Sequence, residues 1–429
     1  MTKQAVLIIH GIGNQRPMET LRSFVQAVWS SDSSLHRNHA QGASIWSKPY
    51  ALSQDFELRR LTTAENKAGL KTDFFEFYWA HLMQGTKIKH VVSWARSVLW
   101  RAPASVPKPL RLLYWVLWLA AIGGLAVSAL MVLHASTGVV QPWWLKWSLG
   151  LIVVPTVTMV LTDIVGDAAR YLHVAPANIQ SRNAIRAAGL KVLDALHQKG
   201  YERIVVVGHS LGTVIAYDIL THAWAAMSGS EPTATGQTLE AVEELERMAA
   251  RGKADPVQWQ AAQHRLFGLR VATGARWRVS DFVSMGSPLA HAQVLLAANA
   301  HELKQRVADR EFLACPPALE ATTAQEKPWI GFSYPANAAA RHLHHAAVFA
   351  VTRWTNLYFP NRLLLRGDLV GGKVAPVFGL AVHDVPVSTR RWYGLLSHTF
   401  YWRPDPPNQH IDALRRALDL LDNGNQPIP

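Results

Sequence analysis

A single cysteine, Cys315, stands among 429 residues. No disulfide can form within the chain, which suits a reducing compartment. The sequence lacks a His-Glu-x-x-His stretch and any paired-cysteine spacing, so no metal is implied. It also lacks a Gly-x-Gly-x-x-Gly turn and a phosphate-loop pattern, so no cofactor is implied either. Met-Thr-Lys-Gln leads directly into an apolar run, without the charged start, apolar core and small-residue cleavage site of a signal peptide. Acidic residues are scarce: 30 Asp and Glu against 43 Lys and Arg leave a net charge of +13. Such an excess attracts nucleic acid, anionic lipid or acidic substrates. Here the basic residues form no compact run and several flank an apolar segment, so the expected partner is a bilayer, with anionic lipid, and not nucleic acid.

Charge is missing altogether from residues 112–133. As a helix that segment is long enough to cross about 30 Å of hydrocarbon. Gly123 and Gly124 inside it would weaken a soluble helix but are common in membrane ones. A second apolar run, residues 143–162, opens on Trp143, Trp144 and Trp147 with Lys146 among them, the pattern of an interfacial anchor. Lys87, Lys89, Arg96, Arg101, Lys108 and Arg111 precede the first run, whereas the turn between the runs has no Lys or Arg. The positive-inside rule then puts both ends in the cytoplasm. Residues 88–111, with Trp94, Arg96, Trp100 and Arg101, suit either a membrane interface or a plain surface helix. The expectation is an integral protein of the inner or plasma membrane whose remaining residues face the cytosol.

The rest of the chain is rich enough in apolar residues, 49% overall, to bury a substantial core. Its organising stretch is Arg203-Ile-Val-Val-Val-Gly-His-Ser-Leu-Gly-Thr-Val-Ile-Ala-Tyr217. A β-branched run stops at Gly208-His-Ser-Leu-Gly212 and a helical pattern begins at once, as in a nucleophile elbow. A serine hydroxyl attacks only when a sharp turn exposes it to a base and backbone N–H groups wait for the oxyanion. Gly208 and Gly212 lack the Cβ atoms that would clash where strand and helix cross. Near the start, Ala5-Val-Leu-Ile-Ile-His-Gly-Ile-Gly-Asn14 reads as a buried strand ending in a His10-Gly11 turn.

Further strands are expected over residues 73–79, 279–288 with its Gly-Ser-Pro ending, and 353–359, the last being the final strand of the sheet. The aromatic residues of 73–79 read as core. Helices are expected through Leu21, Phe24, Val25 and Val28, over 178–199 and over 411–421. Residues 31–70 are polar and carry no clear pattern. Residues 228–268 read as a helical insertion whose acidic helix, 239–248, presents a solvated charged face, and 289–345 as a candidate cap. The chain thus divides into residues 1–87 and 171–429, forming one α/β domain, and a membrane insertion over 88–170.

Together the elbow and the His10-Gly11 turn resemble the α/β-hydrolase superfamily, its lipase and esterase branch in particular. That resemblance implies an α/β-hydrolase fold, a mostly parallel sheet flanked by helices, here with an inserted two-helix membrane hairpin. Ser210 would be the nucleophile, and the N–H groups of Ile12 and Leu211 the oxyanion hole, with His10, Gly11, Gly208 and Gly212 supporting the turns. The acid and then the histidine follow the nucleophile in such chains. Asp368, in Gly367-Asp-Leu-Val-Gly-Gly372, is the nominated acid because a W-x-N-x-Y strand, Trp354 to Tyr358, precedes it. Pro360 to Arg366 intervene, a departure from the family pattern. Asp384 is the alternative acid; Asp281 falls at the start of its strand, the wrong edge. His398, in Ser397-His-Thr-Phe-Tyr-Trp402, is the nominated base, with His383 the alternative. His342, His344 and His345 read as cap residues, and His209 as structural. The implied activity is cleavage of carboxylic esters, of lipids or other amphiphilic acyl substrates, through a Ser-His-Asp triad. The same site also suits an acyltransferase, and the fold an inactive membrane interaction module.

Overall fold

Residues 203–209 are all buried, and a sheet buried on both faces favours such β-branched runs. They form one strand of a mostly parallel sheet of eight. The computed structural model describes residues 3–11, 16–37, 44–50, 59–83, 176–252, 254–322, 329–361, 367–390 and 394–423, with isolated positions between 103 and 171.

In chain order the strands are β1 (Lys3–Ile9), β2 (Ile45–Pro49), β3 (Arg59–Glu65), β4 (Lys71–Phe77), β5 (Arg203–His209) and β6 (Val279–Met285), then four short ones, β7 (Glu320–Thr322), β8 (Trp329–Gly331), β9 (Ser333–Tyr334) and β10 (His342–Leu343), and finally β11 (Arg353–Tyr358) and β12 (His383–Pro386). The large sheet has the order β12-β11-β6-β5-β1-β4-β3-β2; the short strands make two separate ribbons. From β12 to β4 every pairing is parallel; β3 alone is reversed, pairing antiparallel with both β4 and β2. Seven strands therefore end at one edge, where α/β sheets bind their ligands.

Among the described residues the longer helices are α1 (Glu19–Val25), α2 (Pro176–Gln198), α3 (Leu211–Met227), α4 (Gly236–Ala250), α5 (Pro256–Ala272), α6 (Ala300–Ala308) and α7 (Gln409–Leu418). Asp255 starts α5 by accepting the N–H of Val257 at 2.9 Å, with Pro256 at the first helical position, a common way to satisfy a helix's open amides. Helix α3 packs on α2 and on β5, while α7 packs against the segment that continues α1, where Arg415 donates to the carbonyl of Ala27 at 2.8 Å. Phe74, Phe75, Phe77 and Trp79 are all buried, so the aromatic residues of this strand are core, as their spacing predicts.

Several expectations change. The polar stretch 31–70 contains β2 and β3; β2 is exposed almost throughout and β3 buries only Leu61, Thr62 and Thr63, so neither needs a long apolar run. Residues 353–359 are not the last strand: β12 pairs beyond β11 and holds both His383 and Asp384. The stretch 228–268 folds into α4 and α5, and α5 packs against β11, where Gln260 donates to the carbonyl of Trp354 and the hydroxyl of Thr355. The acidic face of α4 is not wholly solvated. Glu246 is buried, accepts from the N–H groups of Phe332 and Ser333 and the hydroxyl of Ser333, and faces Arg341. Its carboxylate thus ties α4 to the ribbons of the 289–345 region.

Among the described residues no helix is long and apolar enough to cross a membrane. The expected spans, 112–133 and 143–162, lie almost wholly outside the described residues. Their point of departure is described: β4 ends at Phe77 at the shared carboxyl edge.

At the opposite edge Asp281 is clamped by two arginines. It accepts from Arg203 at 2.8 Å and from Arg353 at 3.1 Å, and Ser280 donates to it at 2.6 Å. Burial alone would raise its pKa; Arg353 and Arg203 win and hold it below the usual carboxylate range. Asp281 therefore belongs to the frame at the amino edge of the sheet. Removing one member of such a buried set leaves uncompensated charge and costs about 3–5 kcal/mol. Asp281→Ala is expected to lower unfolding stability by that amount in denaturant titration. A loss under about 1 kcal/mol, the worth of an exposed pair, would contradict the assignment.

Candidate active site

The turn from β5 into α3 sets Ser210 at φ 54° and ψ −129°. For a residue with a Cβ such a conformation costs on the order of 1–3 kcal/mol, and surrounding bonds must hold it. Here the N–H of Ser210 donates to the carbonyl of Met285 at 2.9 Å, and its carbonyl accepts from the N–H of Thr213 at 2.9 Å and the hydroxyl of Thr213 at 2.7 Å. Close packing makes the turn feasible. A Cβ on Gly208 would lie 2.6 Å from Cα of Thr213, and one on Gly212 would run into the carbonyl of Ile9. Both glycines are required by approach of backbone to backbone, which is the role their spacing predicts.

Three separated segments meet at Ser210. Its Oγ is 2.8 Å from Nε2 of His398, and Nδ1 of His398 is 2.8 Å from Oδ2 of Asp368. His398 sits on the turn Gly394–Thr399 and Asp368 on the loop beyond β11. A carboxylate only accepts, so Nδ1 carries the proton and Nε2 offers its lone pair to the serine hydroxyl. Asp368 is buried, which works against its charge. The cation-forming imidazole of His398, its hydrogen bond, the amide of Gly371 and the hydroxyl of Tyr401 prevail and lower its pKa to about 2. Tyr401 donates to Oδ2 at 2.8 Å and the N–H of Val370 to Oδ1 at 2.8 Å. The carboxylate is thus ionised and aimed throughout the neutral range.

The described residues on either side of 362–366 lie together. Gly367, at φ 99°, lies against Pro360, where a Cβ would meet the carbonyl carbon at 2.8 Å, and the N–H of Asp368 donates to the carbonyl of Phe359 at 3.3 Å. Gly367 and Asp368 are therefore held beside the end of β11.

On the other side of Ser210, β1 ends in His10 and Gly11. A Cβ on Gly11 would lie 2.8 Å from Cβ of Ser210, so this backbone touches Ser210. His10 is buried and stacked on Trp79 with ring centroids 5.2 Å apart; its Nδ1 donates to the carbonyl of Gly11 at 2.8 Å, and Trp79 donates to the carbonyl of His10 at 2.9 Å. Burial lowers the pKa of His10 to about 4, so the ring acts as a neutral brace. Leu211 opens α3 beside the nucleophile, and intrahelical bonding leaves the first amides of a helix open. Ile12, the other expected oxyanion donor, lies outside the described residues.

Ahead of α1, the N–H of Met18 donates to Oε2 of Glu76 at 2.9 Å. Glu76 is 2% exposed, and burial pushes its pKa from 4.5 up to about 7, against the pull of the Met18 bond. A carboxyl whose folded pKa is raised costs stability once it ionises. The penalty starts as pH rises past 4.5 and is complete above about 7, where the displacement corresponds to roughly 3 kcal/mol. Glu76→Gln keeps an acceptor for Met18 and removes the charge. At a pH of about 8 this variant is expected to unfold at higher denaturant than wild type by up to that margin, with the difference vanishing in acid; equal stability at both pH values would refute the assignment.

The alternative residues stand elsewhere. Asp384 is on β12, three strands from β5, a lateral distance of about 14 Å at the usual strand spacing. Its Oδ1 accepts from Asn356 at 2.7 Å and from the N–H of Val374 at 2.9 Å, and Oδ2 from the N–H of Ala375 at 3.0 Å. Asn356 also donates to the carbonyl of Gly372 at 2.8 Å. This pair braces the loop after Asp368 instead of touching His398. His383 pairs with the middle of β11 and lines a cavity with Asp281 and Arg353. His344 is buried in the cap region, with its Nε2 3.2 Å from the carbonyl of Ala318.

Three further groups touch Asp368, and sequence reasoning assigned none of them a role of its own. Tyr401 is the tyrosine of the His-x-x-Tyr-Trp stretch that begins at His398, a pattern that supported the choice of His398 without showing what the phenol does. Gly286, at φ 58°, and Gly371 wall in Asp368: a Cβ on either would fall 2.9 and 2.6 Å from Oδ2. Gly286 opens the Gly-Ser-Pro turn after β6, which was the available signal. No family model matches the chain, and searches of curated proteins and of solved structures return no match.

Proposed function

We propose that the chain is a serine hydrolase of the α/β-hydrolase kind that cleaves carboxylic esters of lipids or other amphiphilic acyl substrates. The observation that carries this reading is the pair of 2.8 Å contacts linking Ser210, His398 and Asp368 across three segments at the carboxyl edge of a parallel sheet. A buried ion-pair network held for stability would not need a serine at a strained turn with its hydroxyl facing an imidazole lone pair.

The chemistry follows from the proton positions. Ser210 Oγ attacks the ester carbon as His398 Nε2 takes its proton, and Asp368 stabilises the imidazolium that forms. The tetrahedral oxyanion sits against the Gly11 turn and the start of α3, where Leu211 and Ile12 would donate their N–H groups. Each such donor is worth about 3 kcal/mol in the transition state. The alcohol leaves with the proton from His398. Water, deprotonated by the same nitrogen, then releases the acid and restores Ser210.

Membrane residence and the substrate class rest on the apolar segments 112–133 and 143–162, on the positive charge before them and on their place in the chain. They follow β4, whose carboxyl end shares the edge with Ser210, so a hairpin entering the bilayer there brings the site toward lipid. The catalytic domain would face the cytoplasm. Washed membranes from cells producing wild type or Ser210→Ala, treated with a fluorophosphonate probe, test the reading. Labelling of wild type alone, in the pellet, is expected. Labelling confined to the soluble fraction would remove the membrane part, and folded wild type that never labels, with or without detergent, would remove the hydrolase.

A further inference from the structure

Beside the nucleophile, His209 is buried, and its ring is enclosed by the site's own aromatic residues. Its centroid lies 5.1 Å from that of His398, 5.7 Å from Tyr401 and 4.9 Å from Trp402, the last edge-on at 82°. Its Nε2 is 2.8 Å from the backbone carbonyl of His398. A carbonyl only accepts, so Nε2 must carry the hydrogen. On the other side of the ring, Nδ1 meets no donor among the described residues and packs toward Gly11, where a Cβ would lie 3.2 Å away. Burial first, and the neighbouring His398 second, lower its pKa to about 3. The ring is neutral in the Nε2–H form wherever the protein works.

From this we infer that His209 is a positioning residue for the general base: through one hydrogen bond it fastens the backbone of His398 to the residue adjoining Ser210. The inference rests on the hydrolase reading and deepens it. Strand β5 presents the serine and, one residue earlier, the donor that holds the base in reach of it. His398 belongs to a short turn rather than to a long helix or strand, so its ring position depends on where that backbone is held. His209→Phe keeps the ring and its contact with Trp402 but leaves the carbonyl of His398 without its donor. His209→Gln returns an amide N–H near the position of Nε2.

The rate constant for fluorophosphonate inactivation measures activation of Ser210 and needs no known substrate. His209→Phe is expected to label more slowly by about 10²-fold, the usual cost of misplacing a catalytic group by an ångström. His209→Gln is expected to recover most of that loss, with both variants melting close to wild type. The downfield proton resonance of His398 Nδ1–H should broaden or shift in His209→Phe and return in His209→Gln, which a role in packing alone would not produce. Nitrogen shifts of the His209 ring in wild type provide a second route if His209→Phe does not fold: they should report the neutral Nε2–H tautomer at neutral pH. Wild-type labelling with an unchanged rate in His209→Phe, equal slowing in His209→Gln, or the Nδ1–H tautomer would each overturn the inference and leave the hydrolase reading standing. A folded wild type that never labels overturns both.

Discussion

Ser210→Ala is expected to slow cleavage of any ester that the wild type accepts by about 10⁶-fold, with little change in unfolding stability. The two halves of this prediction have different origins. The strained backbone at φ 54° is held by bonds from main-chain groups of Ser210 to Met285 and Thr213, and alanine keeps all of them. What disappears is the oxygen 2.8 Å from Nε2 of His398, the atom that would form the acyl bond in the proposed mechanism. His398→Ala should cost about as much, and the double variant hardly more, because serine and base act as one unit. Turnover by purified protein in detergent, with the melting temperature as a control for folding, gives the comparison. A Ser210→Ala protein within about 100-fold of wild type would retain far more activity than the oxyanion side and binding alone supply, and would end the acyl-enzyme mechanism.

Asp368→Asn should reduce turnover by about 10⁴-fold while leaving the architecture in place. Around the carboxylate, four donors converge: Nδ1–H of His398, the hydroxyl of Tyr401 and the amides of Val370 and Gly371. An ionised carboxylate can accept all four, whereas an asparagine side chain has one acceptor oxygen and turns two N–H bonds toward groups that also donate. The imidazole then gains by presenting Nδ1 as an acceptor and moving its hydrogen to Nε2. In that tautomer it no longer takes the proton of Ser210. The measurement is kcat against KM for one ester: kcat falls and KM stays. If instead KM rises with kcat unchanged, Asp368 serves binding, and the assignment of acid and base is wrong.

Local chemistry made much of the site readable. The β-branched run 204–207, the two glycines of the elbow and the helical pattern after Leu211 lie within fifteen consecutive residues, and each reports a constraint acting on its own neighbourhood. The same holds for β1 and its His10-Gly11 turn. Asp368 and His398 were approached through chain order and the residues around them, the Trp354 to Tyr358 strand and the stretch Ser397 to Trp402, and geometry separated them from Asp384 and His383. The edge strands β2 and β12, and β3 beside β2, were not readable, since a largely exposed, partly buried or four-residue strand needs no long apolar run. Nor was the burial of Glu246 within an acidic helix, whose acceptors are filled by Phe332 and Ser333 about 86 residues away.

By itself the sequence determined the strand-to-helix turn that exposes Ser210, the absence of cysteine pairing, and the uncharged segments that point to a bilayer. All are properties of contiguous residues, for which backbone preference and hydrophobicity act within a few positions. Only the tertiary structure decided which aspartate and which histidine reach the serine, that Tyr401 shares the oxygen of Asp368 with His398, and that the ring of His209 holds the backbone of His398 188 residues from Ser210. A hydrogen bond depends on about 3 Å of separation and on direction, and neither is a function of distance along the chain until the sheet order is fixed.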